Sequence, residues 1–434
     1  MESRFVKTIG KAYFIMAAVL MYYFLNETIN LGVFVTFRHA FALFIFASAF
    51  LAFLFKPNIA RGASTLKPVF IYSLPLIITI VASLFIWFEG QVDTAVIARG
   101  LSGAFIYNNM LSFTLAAAAF LYVFGEKGIW YNLIAIIVSN MLMIFTIILE
   151  NGIVAFFSEF ITLIITFAGQ TGDIIVKAEV HELAFCLGAY LIYMLLKPKK
   201  NLAFFILFAL AGFCFVAAFK RIGIIAIAVS LAFGWLLQFV SKYKKSTARN
   251  LTIVLTVILA LILIGYVAII KLDVFSLLEE AGIETSGRVE IYNAVDKFYE
   301  FKPDFLGNGI GFLTYQLSTN MNVGVSSVHN DFLQYFIDLG FVGYILWLVS
   351  MTVVRVCYFG ARGKLDNAII TFVLSVYLVI VSSTDNTMNY PLLTTVLAII
   401  MIGHGFDDRV RDNEKKMFGC ISDANKQTDG DLLL

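Results

Sequence analysis

Charge is what this sequence lacks. Only 14% of its 434 residues are charged, 60% are hydrophobic, and mean hydropathy is +0.89. A soluble domain carries about 25% charged and about 45–50% apolar residues. The shortage excludes an ordinary cytosolic enzyme, a disordered chain and a disulfide-built secreted domain. It points to a multi-pass membrane protein, all-α, since a membrane-spanning backbone must satisfy itself. Net charge is +2 and gives no basis for a nucleic-acid partner. Cysteine is scarce too. Cys186, Cys214, Cys357 and Cys420 share no metal-ligand spacing and none falls in an expected outer loop. We read packing, with no disulfide, no metal site and no cofactor.

What the chain has is apolar runs. About twelve approach the roughly 20 residues that cross a bilayer: 12–25, 31–55, 68–88, 101–124, 129–149, 180–196, 201–219, 222–240, 250–270, 329–354, 366–382 and 391–406. The first lacks a small-residue cleavage site after it and reads as a signal anchor. Most of the 31 Lys and Arg fall on one alternating set of connections, among them Lys56 and Arg61, Lys197 to Lys200, Lys242 to Arg249, and Arg355 to Lys364. The positive-inside rule puts that set, and both termini, in the cytoplasm. Residues 153–168 are apolar but short. A full span there would invert everything downstream, so a re-entrant or interfacial helix on the outer side is expected.

The resulting division is 1–178, N-terminal spans; 179–270, spans carrying an outer Arg turn; 271–328, an external loop; 329–406, C-terminal spans; and 407–434, a cytoplasmic tail. The external loop sets Lys271, Arg288, Lys297 and Lys302 against twice as many carboxylates. An anion site there must use selected cations.

Several charges sit where a membrane should not tolerate them. Arg38 interrupts the second span beside His39. It reads as an anion contact in a cavity or as a structural, snorkelling charge. Lys220 and Arg221 occupy the turn between two spans on the expected outer side. Arg221 at a helix N-terminus adds a planar donor fork to the helix dipole, which suits a diphosphate. His329 opens a span, with Ser326 or Ser327 as the candidate cap. That position favours the neutral imidazole a general base requires. Asn330 and Asp331 are near enough in sequence to orient it or bind a hydroxyl. Within the loop, 287–301 carries a helical apolar face, with Ser286 as candidate cap and Lys302-Pro303 as the stop. Arg288 falls in its first turn, where the dipole disfavours a cation that has no other task. FLGNGIGF, 305–312, lacks the strand a nucleotide loop needs and reads as a close backbone approach or tight turn. Asp385, in SSTDNTMNYP, has Arg221, Arg288 and Arg38 as candidate partners.

Taken in order, KRIGIIAI, GRVEIYNAV…KPDFLGNGIGF, HNDFLQYFIDLGFVGYI and STDN resemble the O-antigen ligase and polymerase family of bacterial envelope enzymes over roughly residues 175–405. The resemblance implies an all-helical bundle in the bacterial inner membrane with a large periplasmic loop. It implies glycan transfer from undecaprenyl diphosphate to an acceptor hydroxyl. Arg221 and Arg288 match the family's diphosphate-binding arginines and His329 its base. Asp331 stands where many members have Glu, and Lys220 is an unusual neighbour for Arg221. The expected reaction is metal-independent and inverting. Its expected partners are an undecaprenyl-diphosphate-linked oligosaccharide, an acceptor glycan lipid and the bilayer, with a chain-length regulator as a further candidate. The general likeness of SSVHNDFLQ to capsule and exopolysaccharide polymerases favours polymerase over ligation to lipid A–core. A lipid-linked glycan flippase is the other class. It expects ionisable residues spread through the membrane interior and two matching halves, and this chain has neither.

Overall fold

The computed structural model describes residues 4–416 except 24–33, 91, 103–105, 107–108, 167–171, 179, 219, 283–286, 321–326, 363–364 and 388–389. The described residues are helices joined by turns, with no strand among them. Five helices are long and apolar enough to cross a membrane: Lys127–Asn151, Arg221–Tyr243, Lys245–Lys271, Asp331–Gly360 and Leu365–Ser382. Two bent pairs, Ile59–Tyr72 with Leu74–Glu89 and Pro391–Gly403 with Phe406–Lys416, raise the number to seven if each is one span. Among the described residues, length and composition do not confirm the expected twelve. Several expected spans form shorter helices. Leu202–Ala217 has 16 residues, about 24 Å against a hydrocarbon core of about 30 Å. The bends have local causes: Pro75 sits at the first turn of Leu74–Glu89, just after the break at Ser73, and Gly405, at φ +68°, stands in the break before Phe406.

Segment 153–168 forms Ile153–Thr166, 14 residues, about 21 Å long. Phe156, Phe160 and Leu163 bury one face against Met143, Ile144 and Ile147 of the Lys127–Asn151 helix, while Val154, Ile161 and Ile165 stay exposed.

Leu365–Ser382 is the central helix, with 83% of its apolar window buried, whereas Lys245–Lys271 is peripheral at 28%. Lipid tails are as apolar as leucine, so close fit and interhelical hydrogen bonds must hold the bundle. Gly188 lets the Tyr377 hydroxyl pass where a Cβ would stand 2.3 Å from it. That hydroxyl donates to the Phe185 carbonyl at 3.0 Å. Tyr22, Asn132 and Tyr190, all buried and each from a different helix, form a chain. Tyr22 donates to Asn132 Oδ1 and Asn132 Nδ2 donates to the Tyr190 hydroxyl, both at 2.8 Å.

Lys244 alone separates Arg221–Tyr243 from Lys245–Lys271. The two run back to back, so Arg221 and Lys271 share one end of the bundle. The starts of His181–Leu196, Asp331–Val349 and Pro391–Gly403 and the end of Leu365–Ser382 meet there too. At the other end Lys197 pairs with Asp366 at 2.5 Å.

The 271–328 segment is pinned to the Asp331–Val349 helix. Phe336 contacts Tyr299, Phe301 and Phe305 from that segment, the last two stacked. Gly340 breaks the helix with φ +70°. A Cβ on Gly307 would meet Gly340 N at 2.3 Å, and one on Gly340 would meet Leu306 C at 2.2 Å. The glycine stretch 305–312 is thus a close backbone approach, sealed by Phe341 N donating to Phe305 O at 2.8 Å. The expected 287–301 helix ends early, as Arg288–Val295 followed by a 3-10 turn at Asp296–Phe298. Gly287, at φ +73°, precedes it; the expected cap Ser286 lies outside the described residues.

Asn132→Ala leaves the Tyr22 and Tyr190 hydroxyls without their shared partner. We expect a loss of about 1–2 kcal/mol, read as a lower Tm in detergent micelles.

Candidate functional site

The turn between Leu365–Ser382 and Pro391–Gly403 carries Asp385, whose side chain is only 8% exposed. A carboxylate so enclosed needs polar or charged partners. They come from three other places in the chain. Asp385 Oδ1 faces His329 Nδ1 at 3.8 Å, and Oδ2 faces His181 Nδ1 at 3.8 Å and Lys220 Nζ at 3.9 Å. The Tyr390 hydroxyl donates to Oδ1 at 3.1 Å and Asn386 N donates to it at 2.8 Å. Burial raises the Asp385 pKa, but the His329 contact, Lys220, the Asn386 N–H and His181 together hold it below the usual carboxylate value. Burial and the Asp385 charge push the Tyr390 phenol up, so it remains a donor.

His329 stands directly before Asn330, the cap of the Asp331–Val349 helix, at φ +51°, a left-handed conformation rare for a residue with a Cβ. Its side chain is half-exposed. The strain is imposed by its neighbours. Asn330, fully buried, is the helix cap: its Oδ1 accepts from Phe332 N and Leu333 N at 3.1 and 3.2 Å. Its Nδ2 donates to the Tyr292 and Tyr266 hydroxyls at 2.9 and 3.2 Å. The cap is therefore neither of the two expected serines. Ser327 instead accepts from Asn386 Nδ2, and Ser326 lies outside the described residues. Asn386 Nδ2 also lies 3.4 Å from His329 Nδ1. Asp331 is buried and accepts from Thr387 Oγ1 at 2.9 Å. Asn330 and Asp331 thus anchor the segment on either side of the imidazole.

Arg288 opens the loop helix and donates through Nη2 to the Thr384 carbonyl at 3.0 Å, one residue from Asp385. Of the pair at the outer turn, Lys220 faces Asp385. Arg221, the first residue of its helix, is exposed and makes no hydrogen bond or ion pair among the described residues. Of the arginines weighed as Asp385 partners, Arg288 reaches the carbonyl of the neighbouring residue, Thr384. The side chain of Arg38, in the Phe34–Phe55 helix, lies outside the described residues. Sequence reasoning missed His181, Tyr390 and Asn386. The usable signal for His181 was rarity: it is one of four histidines and opens a span at the same end as His329.

Among the described residues no group of three or more His, Cys, Asp and Glu side chains is placed to hold a metal ion. The arrangement offers two imidazoles on either side of one carboxylate, among lysine and arginine side chains at a half-open surface. Such a set can take a proton from a hydroxyl and stabilise an anion beside it.

Residues 203–348 match the family described as O-antigen ligase. The resemblance of the sequence to the O-antigen ligase and polymerase family therefore holds over the third of the chain that carries Arg221, Arg288 and His329. It supports a membrane enzyme of glycosyltransferase type acting on lipid-linked glycans. No curated protein matches the chain. Asp385 and His181 lie on either side of the matched segment and reach it only through the fold.

Two outcomes test the geometry. Asp385 has a depressed folded-state pKa, so it stabilises the protein above its unfolded value, near pH 4, and that contribution drains away as pH falls through the folded value. The Tm gap between wild type and Asp385→Asn should therefore be largest near neutrality and close below about pH 4. His329→Gly relieves the left-handed strain that His329→Ala keeps, and should be the more stable variant by about 1 kcal/mol in denaturant or thermal melts.

Proposed function

We propose that the chain is a polymerase that transfers glycan from undecaprenyl diphosphate to a hydroxyl of a second lipid-linked repeat unit. The single observation that carries this reading is His329 set against Asp385, with Arg288 one residue away, inside the matched segment or against it. The site occupies the end of the bundle opposite the lysine-rich turns at Lys197 to Lys200 and Lys242 to Lys245. By the positive-inside rule that end is periplasmic, with the 271–328 segment as its external loop and both termini cytoplasmic in a bacterial inner membrane.

In this mechanism the acceptor hydroxyl gives its proton to His329 as its oxygen attacks the anomeric carbon. The bond from that carbon to the diphosphate oxygen breaks, and the electron pair stays on the diphosphate. Asp385 steadies the imidazolium that forms. Arg221 and Arg288 stabilise the charge growing on the leaving group, an effect strongest where water is scarce. One displacement inverts the anomeric centre. Arginines supply the positive charge, so no metal is required.

The test is purified protein in lipid with a polyprenyl-diphosphate repeat unit, EDTA present and no nucleotide. We expect a ladder of lengthened lipid-linked glycans. His329→Ala should cut its rate by about 10²-fold or more, the usual contribution of a positioned base, and Arg221→Ala should also lose it. Transfer only after lipid A–core is added would make the protein a ligase. Undiminished polymer from both variants would remove the catalytic role assigned here.

A further inference from the structure

Asp385 divides the site into two sides. Its Oδ1 turns to His329, Tyr390 and Asn386, and its Oδ2 turns to His181 and Lys220. If His329 serves the acceptor hydroxyl, the opposite side is left for the group that departs. His181 begins the His181–Leu196 helix. It is held in place by the next residue: buried Glu182 accepts from Leu392 N at 2.7 Å, locking this helix start to the start of Pro391–Gly403. Its side chain is 38% exposed, so a ligand can reach it. Lys220 comes from a different helix start and is 22% exposed. At 3.8 and 3.9 Å neither contact to Asp385 is a hydrogen bond. The two 3.8 Å contacts across one carboxylate keep the imidazoles' Nδ1 atoms within about 10 Å. That compares with about 6.5–9.5 Å between acid and base in inverting glycosidases, a gap that admits a nucleophile between them.

We propose that His181 is a diphosphate-binding residue. With Lys220 it forms the donor face of the site, on the side of Asp385 away from His329. A diphosphate presents oxygens over a width that one side chain cannot cover, and here two basic side chains from separate helix starts stand together against Asp385. Asp385 aligns both and keeps the donor and acceptor faces apart. This assignment rests on the proposed transfer reaction and extends it to a histidine outside the matched segment.

The test is binding of polyprenyl diphosphate, with no sugar attached, to the full chain in nanodiscs. His181→Gln should weaken binding about tenfold or more, the scale of one charge-assisted hydrogen bond. His181→Lys should restore most of it, and His329→Gln should leave it within about threefold while transfer is lost. A residue that only props up Asp385 would not be rescued by lysine and would change kcat without changing the donor KM. As a check that needs no variant, polyprenyl diphosphate should shield His181 of the wild type from diethyl pyrocarbonate, read by peptide mass spectrometry. Wild-type affinity in His181→Gln, equal losses in the Gln and Lys variants, or unshielded His181 would each overturn the assignment. If wild type performs transfer while any of these is found, only this inference falls. If wild type binds the probe through His181 yet transfers no glycan, the proposed reaction falls and the binding site stands.

Discussion

A buried carboxylate in a membrane protein must be met by polar or charged partners, and Asp385 is met from three directions. Its partners arrive from the start of one helix, the turn before a second and the residue before the cap of a third. No one of these elements could be moved without stranding the charge. That demand gathers His181, Lys220 and His329 at one end of the bundle, although they are distant in the chain. The same carboxylate is the natural support for an imidazolium formed during proton transfer.

The second constraint is steric. The 271–328 segment approaches the Asp331–Val349 helix so closely that neither Gly307 nor Gly340 has room for a side chain. The break at Gly340 frees backbone groups that the loop then satisfies: Gly309 N reaches Asp338 O at 2.7 Å and Asn308 Nδ2 reaches Ile337 O at 3.0 Å. This clamp, with the aromatic cluster on Phe336, fixes the polar loop on an apolar bundle. Arg288 is held beside Thr384 by the loop it belongs to, and the loop is held by glycine. Asn330 closes the arrangement by capping the helix with one side of its amide and tethering two tyrosines with the other.

Part of the candidate site was legible in the residues. Of the charges singled out in the sequence, the fold sets His329 against Asp385 and Arg288 against the neighbouring Thr384, while Arg221 faces the open surface; the glycine stretch was marked by its density. The order of motifs carried the family resemblance that the match over 203–348 supports. The span count was less legible. Hydropathy registers an apolar run of 14 to 16 residues much as it registers one of 20, so it does not distinguish a short or bent helix from a full crossing. The cap was misassigned because Ser and Asn are equally good caps, and only the backbone path decides which one points back at the helix.

The sequence by itself determined that the chain is helical, lies in a membrane and keeps a few selected cations at its helix starts. Those properties follow from composition and from the cost of burying charge, which need no coordinates. The tertiary structure alone decided which cation faces which anion. Lys220 and Arg221 are neighbours, yet Lys220 turns to Asp385 and Arg221 to the open surface, because adjacent residues where a helix begins point in different directions. His181, 148 residues before His329, joins the same carboxylate because three helix ends pack together. Pairings of this kind depend on packing across long sequence separations, and no local pattern encodes them.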